Sequence, residues 1–409
     1  MNKEIKVTLL SILSIIIAVG ASWYGWIVAE KNSTQIDQPN EEKISQEMQI
    51  YFYRTDGIYK ITSEDKKPQQ IVKTTFDKEQ HWSFTPQFEI MGDKNNWLVY
   101  RDKVGENPDV KQIEFGLMVY DVNEKKEIMS VKKDNSSVTS FIISPAKKSI
   151  AYVLNSYDSS KSENQNSFYQ ELYVWSADGG TKKILTEESG FFGLGLGLWL
   201  DEENLTIGRG YEGISYCSIN IKTTKKMPTN CEGYGSSQMG VVDLFEEVEN
   251  NIFYGARYEW QEITGNKSSG GIFKKSIDGE REYLNSDATA DLVVGEENIY
   301  YLRHNRDASK YVYNGVETDL YLVSKNGEYS KRLTNDGTSV LAKSNLSISP
   351  DKRFIGYQAV NRIGLSQDDG GIQTQQDNST VWVYDTQLNK YYQVAEEGLA
   401  PKIILVDIN

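Results

Sequence analysis

From residue 48 onward the chain alternates apolar and polar positions in short runs, and the runs recur in a regular order. Period-two alternation bounded by turn-forming residues predicts strands joined as hairpins. Seven of these runs begin near Ile50, Trp97, Ile150, Leu205, Ile252, Ile299 and Ile355, at intervals of 47 to 56 residues. Polar turns precede them, among them Gly92–Asn96, Ser144–Lys148, Asp201–Asn204, Glu249–Asn251, Gly295–Asn298 and Ser349–Lys352. Two later runs follow within each period, as in Glu171–Thr186 and Asp319–Thr334. Their turns carry Asp178-Gly179, Asp278-Gly279 and Asn326-Gly327, pairs that suit tight turns because the second position takes a positive φ. A strand-built period of this length predicts an all-β fold, a β-propeller of seven blades with four antiparallel strands each.

The two ends of the repeat complement one another. Ala400–Asn409 reads as an inner strand that stops at its turn, and Gln49–Tyr53 reads as the second strand of a blade that lacks its first. The expectation is a ring closed by the C-terminal strand, which leaves no free sheet edge at the axis.

Before the repeat, residues 7–29 are almost continuously apolar and uncharged, long enough for a helix to cross a bilayer. Lys3 and Lys6 precede them, which orients residues 1–6 to the cytoplasm, 7–29 as a transmembrane signal anchor and 48–409 as an extracytoplasmic propeller. Residues 30–47 are polar and free of aromatics, and read as a linker. The alternative is a signal peptide cleaved near Val19 and Ala21. The expected location is that of a single-pass membrane protein, with the propeller periplasmic or at the cell surface.

Within the repeat, Ser349-Pro-Asp-Lys-Arg-Phe-Ile-Gly-Tyr357 and Ser144-Pro-Ala-Lys-Lys-Ser-Ile-Ala-Tyr152 share a pattern. Leu172-Tyr173 with Leu185-Thr186, and Leu320-Tyr321 with Leu333-Thr334, share another. These segments resemble the blade repeat of TolB-like β-propellers, and are similar to repeats in the propeller domains of prolyl-oligopeptidase-type enzymes. The resemblance spans residues 48–409 and implies the fold while saying little of activity. The blades beginning near Leu205, Ile252 and Ile299 lack the Ser-Pro pair.

Charge and rare residues narrow the function classes. The formal net charge is −14, which argues against nucleic acid and against anionic lipid as the main target. The two cysteines, Cys217 and Cys231, flank a predicted turn centred at Thr224 and are expected to form a disulfide in an oxidising compartment. The histidines, His81 and His304, have no serine elbow or ligand cluster to serve, so no catalytic triad, zinc site or cofactor is expected. Gly193-Leu-Gly-Leu-Gly197 precedes no predicted helix and reads as an inner strand, not a nucleotide loop. Among the acidic clusters, Asp201–Glu203 and Glu246-Glu247 read as solvated turns, and Asp368-Asp369 falls in a long loop.

Two features point to one end of the ring. The connections between second and third strands are long at Asp102–Glu114, Ser156–Gln170, Tyr258–Gly270, His304–Thr318 and Ile363–Thr380. Second strands also end in arginine: Arg54, Arg101, Arg209, Arg257 and Arg303. Such a set could ring an anion or acidic-peptide site, since guanidinium pairs with carboxylate or phosphate in a planar fork. The alternative pairs each arginine with an acid near its own blade seam, such as Asp56, Asp102, Glu212 or Glu259. The leading expectation is a membrane-anchored cell-envelope platform for a protein or peptide partner, bound at the long-loop end. The alternative is an envelope enzyme, or a receptor for a small ligand or glycan, with its pocket at the propeller axis.

Overall fold

The computed structural model describes residues 47–63, 65–74, 87–92, 96–107, 112–157, 168–187, 193–210, 213–226, 236–238, 241–259, 270–276, 279–287, 291–305, 317–335, 341–361 and 379–406. They form seven four-stranded antiparallel blades. Blade 1 holds β1 (Glu47–Arg54), β2 (Gly57–Thr62) and β3 (Gln69–Lys73), with β28 (Leu399–Val406) as its inner strand. Blade 2 runs from the inner strand outward through β4 (Phe88–Met91), β5 (Trp97–Asn107), β6 (Gln112–Asp121) and β7 (Lys126–Val131). Blade 3 follows as β8 (Ser136–Ile143), β9 (Ser149–Tyr157), β10 (Phe168–Ser176) and β11 (Gly180–Glu187). Blade 4 is β12 (Gly193–Trp199), β13 (Asn204–Gly210), β14 (Gly213–Asn220) and β15 (Ser236–Gln238). Blade 5 is β16 (Val241–Glu249), β17 (Ile252–Glu259), β18 (Gly270–Ser276) and β19 (Glu282–Tyr283). Blade 6 is β20 (Leu292–Val294), β21 (Asn298–Asn305), β22 (Glu317–Ser324) and β23 (Ser330–Arg332), and blade 7 is β24 (Leu341–Ile348), β25 (Phe354–Asn361), β26 (Ser379–Asp385) and β27 (Lys390–Ala395).

Hydrophobic packing between blades supplies the core. Each neighbouring pair of blades shares one buried cluster. Tyr53 and Ile58 meet Phe88 and Tyr100 across blades 1 and 2. Leu117 and Val119 meet Phe141 and Tyr152 across blades 2 and 3. Leu172 and Ile184 pack on Leu194 and Leu205, and Phe245, Phe253 and Phe273 pack on Leu198. Tyr254 and Ile272 meet Val294 and Tyr301, and Tyr300 and Leu320 meet Ile355 and Tyr357. Phe52 and Ile61 close the series against Phe354 and Val381. Burying rings of this size dominates the energetics of such a seam. Among the described residues, the buried members of these clusters lie between Met48 and Ile404. The pairing of β1 with β28 joins the two ends of the repeat, with Gln49 opposite Ile404 and Ile50 opposite Ile403.

The turns explain the Ser-Pro motif. Ser349 Oγ accepts the Phe354 amide at 2.8 Å, and the Ser349 amide donates to the Phe354 carbonyl. Lys352 turns the chain at φ +59, and the same design recurs with Ser144, Ser149 and Lys147. Blade 5 uses Asn250-Asn251 instead, both at positive φ, as a two-residue hairpin requires.

Two expectations on the elements need correction. Asp102–Glu114 is mostly strand: β5 and β6 pair as far as Asn107 opposite Gln112, an arm longer than its counterparts. Its β6 edge leans on blade 3, where the Phe115 amide donates to Ser137 Oγ at 3.0 Å. The hairpin expected to centre on Thr224 turns at Asn220–Thr224, and its described outer strand, β15, pairs Ser236 with Ser215. The short β15 then pairs with β16 as well, so blades 4 and 5 share one continuous eight-stranded sheet.

Candidate functional site

Second strands run from the short-turn end toward the long-loop end; Arg54, Arg209, Arg257 and Arg303 lie in their distal halves, and Arg101 near the middle of the longer β5. Their backbone partners on the third strands are Gly57 for Arg54, Leu117 for Arg101, Ser215 for Arg209, Gly271 for Arg257 and Asp319 for Arg303. Arg54 donates to Glu397 at 2.5 Å and stacks over Tyr59 at 4.9 Å. Arg303 pairs with Asp287 at 3.3 Å and stacks over Tyr321 at 5.4 Å. Glu397 and Asp287 each stand on the connection that enters the arginine's blade from the preceding one. Arg101 lies over the Phe115 ring at 5.0 Å, and burial lowers its pKa to about 10. Arg257 is half-buried, and the Arg209 side chain lies outside the described residues. The two ion pairs fix connections between blades, and none of the anticipated acids supplies them; Asp56 instead accepts the Tyr59 hydroxyl at 2.8 Å.

A second polar design repeats on third strands. Asp319, fully buried, accepts from Thr334 Oγ1 at 2.9 Å, pairs with Arg332 on β23, and pairs with Lys343 on β24 at 3.4 Å. Glu171 on β10 likewise takes Lys183 at 3.0 Å and Lys133 at 3.8 Å. The acid opens the Asp319-Leu-Tyr and Glu171-Leu-Tyr phrases; the bases of Asp319 stand at the end of β23 and on the next blade, and those of Glu171 stand within β11 and on the connection that enters blade 3. Asp319 and Lys343 are both fully buried, and leaving one member of that pair alone costs several kcal/mol, so this pair ties β22 of blade 6 to β24 of blade 7.

The axis carries the charge that sequence reasoning missed. Inner strands expose one backbone edge toward the axis, and side chains from neighbouring blades satisfy it. Glu247 accepts the Val294 amide at 3.1 Å, and Asp291 accepts the Leu346 amide at 3.0 Å. The Leu346 site is a bulge: β24 slips register between Ser344 and Ser347, with Asn345 at φ +56. Burial raises the Glu247 carboxyl, and it pushes Asp291 up to about 6 against its amide bonds and the field of Lys402. Lys402 in turn pairs with Glu89 at 2.6 Å. Glu249 grips Lys325 and Lys352, tying blades 5, 6 and 7 at the short-turn end. Glu247 is therefore a half-buried axial residue and not a solvated turn acid, because its strand continues to Glu249 before turning.

Other sequence candidates separate cleanly. Gly193–Gly197 is the inner strand β12. A Cβ at Gly197 would meet Thr206 Oγ1 at 2.1 Å and the Tyr216 ring at 2.9 Å, so the glycine admits the blade's own side chains. Asp201 is a turn acid that accepts the Glu203 and Asn204 amides at 2.7 and 2.8 Å. Cys217 is buried on β14, and no cysteine is free among the described residues. Cys231, His81, Asp368 and Asp369 lie outside the described residues, as do the His304 side chain and residues 1–46. Among the described residues no His, Cys, Asp and Glu group has metal-site geometry, and no helix is long and apolar enough to cross a membrane.

No family model and no curated protein matches the chain. Solved structures do. Prolyl oligopeptidase B from Galerina marginata is similar at TM-score 0.51 and 9% identity, over 89% of this chain and 52% of that one. A prolyl endopeptidase is similar at TM-score 0.50 and 10% identity, over 94% of this chain and 54% of that one. The likeness is one of fold. The β-propeller domain of the trilobed protease from Pyrococcus furiosus has TM-score 0.48 and 14% identity, over 76% of this chain and 85% of that domain. The chain spans about half the length of the two prolyl peptidases.

Proposed function

We propose that this protein is a membrane-anchored cell-envelope platform of TolB-like type that binds a protein or peptide partner at the long-loop end of its propeller. The observation that carries the reading is the unequal elaboration of the two ends. Turns between first and second strands are tight, as at Asn250-Asn251, whereas the β5–β6 arm extends the other end and four further second and third strands are separated there by long stretches of sequence. Binding residues concentrate on connections that a rigid scaffold positions. Arg54 and Arg303 serve this end by holding the connections between blades, through Glu397 and Asp287. We further infer that β28 closes the ring in blade 1 and that Cys217 and Cys231 form a disulfide.

The second reading, an axial pocket for a small ligand or glycan, draws on the raised carboxyls of Asp291 and Glu247. Both carboxylates already accept backbone amides of the neighbouring inner strand, which favours a structural role. The test is capture from the native envelope with three baits: the full chain, the chain with residues 158–167 and 306–316 each replaced by a short Gly-Ser turn, and the chain with Asp291→Asn. A partner retained by the first and third baits and lost by the second supports the platform. Equal retention by all three would overturn it, and loss with Asp291→Asn alone would move the site to the axis.

A further inference from the structure

The seam between blades 6 and 7 ends outward in exposed aromatic rings. Among the described residues four large apolar side chains are exposed, and three of them stand at the outer corner of this one seam. Tyr329 is 51% exposed on the turn between β22 and β23, Leu388 is 51% exposed on the turn between β26 and β27, and Tyr391 is 37% exposed near the start of β27. The fourth, Tyr283, lies on β19 against Phe273 of its own blade. Farther in, Leu320 and Leu322 of blade 6 close the same seam against Tyr384 and Trp382 of blade 7.

Hydrogen bonds hold this corner in place. The Tyr329 hydroxyl donates to Asn298 Oδ1 at 2.8 Å. Asn298 also bonds the Tyr300 hydroxyl, and Thr386 bonds the same hydroxyl from blade 7. The Tyr384 hydroxyl donates to Asn389, so both ends of the turn that carries Leu388 are seated on the seam. Tyr391 pairs with Tyr384 on β26, and its ring lies 5.9 Å from that of Trp382 at 53°. Amide side chains of Asn298, Asn389 and Gln393 stand beside the rings. Charge at the corner nearly cancels. Lys331 and Lys390 stand with Glu296, Glu297 and Glu328, while Arg353 pairs with Asp385, and Lys325 and Lys352 with Glu249.

We propose that this corner binds a neutral oligosaccharide, with sugar rings stacked on Tyr329 and Tyr391. A pyranose presents C–H groups on its faces and hydroxyls around its rim. Stacked on a tyrosine, it buries the apolar face while the hydroxyls bond to amides or water. The corner offers both halves of that contact, exposed rings on two blades and amide side chains beside them. Size argues against a protein occupant: the three side chains expose on the order of 300 Å², against roughly 800 Å² that a stable protein interface takes from each partner. The near balance of charge argues against nucleic acid or an acidic polymer. The turns of this corner lie at the short-turn end, so the inference stands apart from the partner proposed for the long-loop end.

The test is calorimetric titration of the full chain with chitotetraose, cellotetraose and maltotetraose, three neutral tetrasaccharides that differ in sugar and linkage. At least one should bind. Tyr329→Ala and Tyr391→Ala should each weaken that binding at least about threefold, and the double variant at least about tenfold. Tyr391→Phe keeps the ring, and Tyr283→Ala removes an exposed ring elsewhere; each should leave the affinity within about twofold. The substituted side chains are exposed, so melting temperatures near the parent's are expected and show that each variant is folded. Absence of binding by all three sugars, binding that survives in the double variant, or an equal loss with Tyr283→Ala would overturn the inference. Self-association that the double variant abolishes, without sugar binding, would also overturn it and give the corner to a second copy of the chain.

Discussion

Asp291 puts a price on satisfying the inner edge of blade 7. Its carboxylate bonds to the bulge at Leu346, yet burial holds its pKa near 6, above the ordinary value of 3.8. A carboxyl whose pKa rises on folding stabilises the fold while protonated. That contribution is present below pH 4 and is lost as pH climbs through about 6. Two pKa units correspond to about 3 kcal/mol, so Asp291→Asn should raise the melting temperature at pH 8 and leave it nearly unchanged at pH 4. A variant less stable than the parent at pH 8 would show that the negative charge itself holds the bulge. At this scale the sequence is half legible. The arginine positions follow from period two, but Glu397 lies 343 residues from Arg54, and no local pattern names such a partner. The axial acids escape for the same reason: Glu247 looks like half of a solvated doublet until a strand from the next blade covers it. The acid of the Asp319-Leu-Tyr and Glu171-Leu-Tyr phrases was the available signal, since a charge beside two buried residues asks for a partner.

At the scale of elements, alternation and turn chemistry locate the seven second strands. Those strands begin within three residues of the expected positions, Trp97 and Ile252 coinciding with them. What alternation does not show is where a strand outlasts its blade, as β5 and β6 do, or where an outer strand joins the next blade, as β15 does. Both depend on pairing between segments whose polar residues look like loop. Ring closure belongs here too. Deleting residues 399–409 strips β1 of its inner partner, exposes its edge and opens the cluster around Ile403 and Ile404. The expected outcome is loss of cooperative melting with aggregation, followed by circular dichroism and light scattering; unchanged melting would contradict closure. The disulfide makes a covalent prediction about blade 4. Non-reducing peptide mapping should recover one peptide joining Cys217 to Cys231, and two alkylated cysteines would refute the pair.

For the whole molecule, the account gives the propeller two unlike ends. One carries tight turns and the start of β1 at Glu47; the other carries the β5–β6 arm and the connections between blades steadied by Arg54 and Arg303. Structural likeness to peptidase propellers at about 10% identity speaks for the fold alone, so the orientation must be measured in place. The direct measurement is photo-crosslinking in the native envelope, with a benzophenone side chain at Gln112 on the β5–β6 arm or at Lys126 on the opposite end. The account predicts a discrete protein adduct from position 112 and none from position 126. A discrete protein adduct from position 126 with none from position 112 would contradict it.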